Sequence, residues 1–129
     1  MKRMIIISAL LAAVVAFGIA ETAISSSLYG RIAVMAGEVE SAVNENPDFT
    51  DDVALTKAAE VIKEWERWRS YARMTSNHST VRGLEDRLYA LYAYVGCRSY
   101  EDSIAYAATA RELAEDLAVE TYVLLPNLL

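Results

Sequence analysis

Seventeen consecutive uncharged residues, Met4 to Ala20, constrain this chain more than any other feature. As a helix rising 1.5 Å per residue the run is about 25 Å long, near the lower limit for crossing the hydrocarbon of a bilayer. Glu21 interrupts it, and Thr22, Ala23 and Ile24 extend it where that carboxylate reaches the headgroups. Lys2 and Arg3 precede the run, and the next basic residue is Arg31. Basic flanks stay on the cytoplasmic side, so the pattern predicts a cytoplasmic N-terminus in a single-pass protein of the cell membrane, with everything after residue 20 outside.

A cleaved secretory signal is the alternative. The basic start and apolar run fit one, and Gly18-Ile19-Ala20 offers small residues for cleavage near Ala20, which would release a secreted product. The run is longer than the usual signal core of about 7–15 residues, which favours a retained anchor. Ser8, Ala12, Ala16 and Ala20 recur every fourth residue, a stripe along which another membrane helix can approach closely. The chain thus divides into an anchor over 1–24, in contact with lipid through 4–20, and an exported domain over 25–129.

The chain after residue 20 holds all 18 acidic residues against 10 of the 12 basic ones, a net charge of −8. Such a surface is a poor partner for nucleic acid, whose phosphates demand positive charge, and for lying flat on anionic lipid. The single cysteine, Cys97, cannot form an internal disulfide and reads as a small buried residue near the end of a helix.

Apolar residues recur at three and four, with only two prolines and five glycines in the chain. Ile24, Leu28, Ile32, Met35, Val39 and Val43 predict a first helix running out of the membrane stretch to about Asn44, ended by Pro47. Thr50, as cap, with Asp51 and Asp52 opens a second helix, with Leu55, Ala58, Ile62, Trp65, Trp68 and Ala72 facing inward. Ser79 or Thr80 caps a third, carrying Leu84, Leu88, Leu91, Tyr92 and Val95 on one face and closing at Gly96. Ser99 with Asp102 reads as the cap of a fourth, whose stripe is Ile104, Ala107 or Ala108, Ala110, Leu113, Leu117 and Thr121, with Pro126 as its stop. Nothing alternates at period two. Short loops make successive helices antiparallel neighbours, so the expected fold is all-α: an N-terminal transmembrane helix continuing into an antiparallel bundle of about four helices.

No catalytic constellation emerges. His78 and Cys97 stand alone and far apart, no Glu-x-x-His pair occurs, and no nucleophile–base arrangement accompanies His78-Ser79. No enzyme, metal or cofactor is therefore expected. Glu112, Glu115, Asp116 and Glu120 read first as a solvated face, then as partners of Arg67, Arg69 or Arg73 on a neighbouring helix, then as a docking surface for a basic partner. Tyr89, Tyr92, Tyr94, Tyr100 and Tyr106 crowd around one helical hairpin and cannot all fit one buried stripe. Tyr89, Tyr94, Tyr100 and Tyr106, with the apolar tail Val123–Leu129, form the candidate partner surface.

Trp65, then His78-Ser79, then Val81, Leu84, Leu88 and Leu91, then Leu113, Leu117 and Asn127-Leu128 follow one another in an order that resembles the bacterial domain-of-unknown-function family numbered 4363. That family consists of small proteins with one N-terminal membrane helix followed by further helices. Where it tends to carry an acid two places after the histidine, this chain has Thr80. The resemblance implies an uncleaved anchor, no reaction, and an accessory role beside another envelope membrane protein, with Trp65, His78 and Asn127 as the matching positions. The expected function is that of an accessory or scaffold protein binding another envelope membrane protein or itself. The alternative is a small ligand-sensing ectodomain acting through a membrane partner.

Overall fold

The computed structural model describes the backbone of residues 1–128 and the side chains of residues 1–20 and 22–120. Four helices account for nearly all of it: α1 (Lys2–Glu45), α2 (Val53–Thr75), α3 (His78–Gly96) and α4 (Tyr100–Leu128), with no strand among the described residues. The helices run up, down, up and down. Each packs on its sequence neighbours, α4 closes the ring on α1, and α1 and α3 lie on a diagonal, as do α2 and α4. This is the bundle that short loops dictate.

α1 is 44 residues long and continuous. Its first 16 residues are all exposed, and the first buried side chain among the described residues is Ser25. From there Leu28, Ile32, Ala36, Val39 and Val43 enter the core. Ile24, assigned by periodicity to the same stripe, is 49% exposed, because the bundle begins only one residue later.

The α1–α4 seam is built from small residues. Ala33 and Ala36 lie on the face of α1 that also carries Ser26, Gly37 and Glu40, each of which meets α4. α4 buries Ser103, Ala107, Ala110, Ala114 and Leu117, whereas Ile104 and Leu113 are only partly covered. Ala107, Ala110 and Leu117 of the expected stripe are thus inside, while Ser103 and Ala114 take the places assigned to Ile104 and Leu113, because small side chains permit closer helix contact than large ones do. Ser103 Oγ sits in this core with no hydrogen-bond partner among the described residues. Trp65, fully buried, fills the space between α2 and α3 and donates its Nε1–H to Glu85 at 3.2 Å.

The caps differ from expectation in detail. Thr50 does not cap α2: its hydroxyl and its N–H both donate to Asn46 Oδ1, at 3.0 and 3.3 Å, while Asp51 accepts from the Val53 N–H at 3.0 Å. Asn77 rather than Ser79 or Thr80 caps α3, accepting from the Ser79 N–H at 2.9 Å. Phe49, in the α1–α2 loop, takes a left-handed φ of 52° and buries its ring. Tyr92, expected inside, is 41% exposed because the α3 core face runs through Val81, Leu84, Leu88, Leu91 and Val95. α4 runs through Pro126, past its expected stop; a proline in the last turn forfeits a single hydrogen bond. Thr121, Asn127 and the tail Val123–Leu129 lie outside the described side chains.

At the end of α3 the left-handed residue is Arg98 (φ 58°) and not Gly96. The Ser99 N–H reaches the Tyr94 carbonyl at 3.1 Å and the Arg98 N–H reaches Val95 at 3.1 Å, the paired bonds of a Schellman motif. The Ser99 hydroxyl then donates to Asp102 at 2.7 Å, so one residue both closes α3 and opens α4. Arg98 is an L-residue held where glycine is favoured. Arg98→Gly is therefore expected to raise the unfolding free energy by about 1 kcal/mol, measured by urea denaturation in mild detergent. Arg98→Val, branched at the same φ, is expected to lower it.

Candidate functional site

Three observations mark the junction between the bare and the packed halves of α1 as the part of the molecule with the most to do. The first is the bare segment itself, long and apolar enough to cross a membrane by length and composition. Ser8, Ala12, Ala16 and Ala20 are all exposed on it. Thr22, at its upper end, donates its hydroxyl to the Gly18 carbonyl at 2.8 Å and so carries no unpaired polar group toward an apolar surrounding.

The second is a layer of polar contacts directly above. Ser25 Oγ donates to Tyr71 Oη at 3.4 Å, Ser26 Oγ to the Ala118 carbonyl at 3.1 Å, and Tyr29 Oη shares a proton with Ser76 Oγ at 2.7 Å. These bonds tie α1 to the lower ends of α2 and α4 at one level. Burial pushes the Tyr29 hydroxyl above its ordinary pKa; the bond to Ser76 acts against this and the neighbouring Tyr71 adds to it. The run Ser25-Ser26-Ser27 thus separates into two bundle contacts and one exposed residue, Ser27.

The third is a cluster on the α1–α2 flank. Arg31 Nη1 donates to Glu64 Oε1 at 2.8 Å, Trp68 Nε1 donates to the same oxygen at 3.0 Å, and the Arg67 guanidinium lies over the Trp68 ring, 5.5 Å from its centroid. Burial pushes the Glu64 carboxyl up, but the hydrogen bonds from Arg31 and Trp68 and the charges of Arg31 and Arg67 outweigh it and hold the group below the usual carboxylate range. A cavity of about 350 Å³ opens beneath the cluster, between Ile24 and Leu28 on α1 and Trp68 on α2. Sequence spacing placed Trp65 and Trp68 on one face; in the bundle only Trp65 is fully buried, and Trp68 stands at the rim.

The tyrosines do not form one patch. Tyr94 and Tyr106 stack across α3 and α4 with ring centroids 5.1 Å apart. Tyr89 donates to Glu66 on α2 at 2.9 Å, and Tyr100 donates to Asn44 on α1 at 3.0 Å. Burial and the Glu66 carboxylate raise the Tyr89 hydroxyl above its ordinary pKa. His78 is exposed at the first position of α3. Cys97 is exposed as well, contrary to the buried position expected, because the chain leaves the core one turn after Val95 to make the Schellman turn.

The four acids of α4, Glu112, Glu115, Asp116 and Glu120, are exposed. They do not meet the arginines of α2, since α2 and α4 are diagonal. Arg73 pairs instead with Glu85 of α3 at 3.1 Å, and Arg111 of α4 pairs with Glu40 of α1 at 2.8 Å. Among the described residues no three His, Cys, Asp or Glu side chains converge as metal ligands.

The Glu64 cluster generates a pH dependence. A carboxyl held low in the fold stabilises it above the ordinary carboxylate pKa, and that contribution is lost as pH falls through the lowered value. The melting temperature of Glu64→Gln is expected to fall less steeply on acidification than that of the parent protein, in parallel scans from neutral to acid pH.

Comparison with protein families, curated proteins and solved structures finds no match to this chain at any of the three levels.

Proposed function

We propose that this chain is a single-pass membrane protein whose bundle stands outside the cytoplasm and serves as an accessory or scaffold, binding another envelope membrane protein or a second copy of itself. The observation that carries the reading is the unbroken course of α1, bare and apolar over its first half and buried in the bundle over its second. A segment with no packing partner in its own chain has its apolar surface satisfied by lipid, and it fixes the bundle at the bilayer without a flexible joint. The resemblance to the family numbered 4363 leads to the same anchor.

The surface that supports partner binding is the outer face of α1. Gly30, Val34 and Ser41 follow one another at intervals of four and seven, and none is buried. A methyl added at Gly30 would meet nothing within 4 Å. Small residues at this spacing let a second helix approach closely, within the bilayer and above it. The reading assigns no reaction to the bundle.

Two measurements test it. The full-length protein is expected to resist carbonate extraction from membranes and to retain its first residue, whereas a soluble product beginning at Glu21 contradicts the anchor. Photo-crosslinkers at Val34 and Ser41 are expected to trap a protein partner or a second copy, while one at Tyr92, on the opposite helix, traps none. Equal trapping at all three contradicts the assigned face.

A further inference from the structure

The groove beneath the Glu64 cluster has the position, lining and charge of a lipid site, an inference that rests on the anchor reading above. Counted from Met4 at 1.5 Å per residue, about 30 Å of hydrocarbon ends near Ile24. The cavity of about 350 Å³ begins at that level, with Ala23 and Ile24 at its lower end, Leu28 and Trp68 as walls, and Arg31 at its top. Trp68 is then at headgroup depth, where amphipathic indoles concentrate in membrane proteins.

Two guanidiniums stand near the mouth. Arg31, on the lining itself, commits Nη1 to Glu64, and its Nε and second terminal nitrogen have no partner among the described residues; its side chain is 58% exposed. Arg67 lies beside the groove over the Trp68 ring and forms no ion pair within the described residues. Free guanidinium N–H donors thus stand at the head of an apolar groove. A phosphodiester carries a single negative charge, and guanidinium forks match its oxygens. The chain as a whole carries −6 and repels anionic surfaces, so any preference for an anionic lipid has to come from such a local pair.

We propose that this groove holds one anionic glycerophospholipid of the surrounding leaflet, with its phosphate on Arg31 and Arg67 and an acyl chain descending between Ile24, Leu28 and Trp68. The bound lipid covers the part of the α1–α2 flank that the bundle leaves open.

Brominated lipids test this directly, since bromine quenches only nearby indoles and the chain has two tryptophans, of which Trp65 is fully buried. The full-length protein is reconstituted in phosphatidylcholine vesicles with a minor share of phosphatidylglycerol, bromine being placed on the acyl chains of one lipid at a time. Quenching per bromine is expected to be stronger when phosphatidylglycerol carries it. That preference is expected to vanish in Arg31→Gln/Arg67→Gln, and the quenching itself in Trp68→Phe. Equal quenching by the two lipids, or a preference that survives the double arginine change, overturns the site. Flotation of the same vesicles reads the anchor separately: protein that floats without the preference overturns the lipid site alone, and protein that stays behind overturns both.

Discussion

Everything in this molecule depends on the backbone hydrogen bonds of α1 continuing without a break past residue 20. The helix has one half with no partner in the chain and one half that forms a wall of the core. No proline lies between Lys2 and Glu45, and Gly18, Gly30 and Gly37 are accommodated within regular helix. Continuity makes the orientation of the bundle a property of the buried register of α1 rather than of a linker. A polar layer at Ser25, Ser26 and Tyr29 marks the change of surroundings, and each of its hydroxyls finds a partner on α2 or α4 or in the turn that follows α2. These bonds hold the lower rim of the bundle closed against the helix that carries it.

Packing above that rim is uneven by design of the residues. The α1–α4 seam uses alanine, serine and glycine, whereas the α2–α3 side relies on Trp65 and the leucines of α3. Small residues bury little area each, about 25 cal/mol per Å², so close approach and length have to make up for it. The α1–α2 flank is held by the Arg31–Glu64–Trp68 bonds at its edge, and the groove lies beneath them. The same cluster therefore stabilises the bundle and shapes an open apolar groove.

Much of this architecture is legible from the residues, for identifiable reasons. Pro47, the Asn77 turn and the Ser99–Asp102 pair punctuate the chain where the helices end, and apolar recurrence at three and four places Leu84, Leu88, Leu91, Val39 and Val43 correctly inside. Other features were hidden. On α4 Ala107, Ala110 and Leu117 are buried as their spacing predicts, but Ser103 and Ala114 complete the face in place of Ile104 and Leu113, a choice that only the partner helix makes. Gly96 drew attention as a helix end, but the left-handed position is counted from the last bonded carbonyl and falls on Arg98. Phe49 enters the core from a loop, where no periodicity announces it. Of the candidate site, Trp68 and Arg31 were visible as residues, but Glu64, which joins them, is one acid among 18 and becomes distinctive only through its two donors.

The continuity of α1 is a distance. With Cys97→Ser removing the native thiol, spin labels placed at Val15→Cys and Ser41→Cys, both on exposed positions, bracket the junction in protein reconstituted in lipid. A single unbroken helix puts them about 39 Å apart in one narrow distribution. A broad distribution centred at clearly shorter distances would mean a hinge near Glu21 and a bare segment uncoupled from the bundle, contradicting a continuous α1.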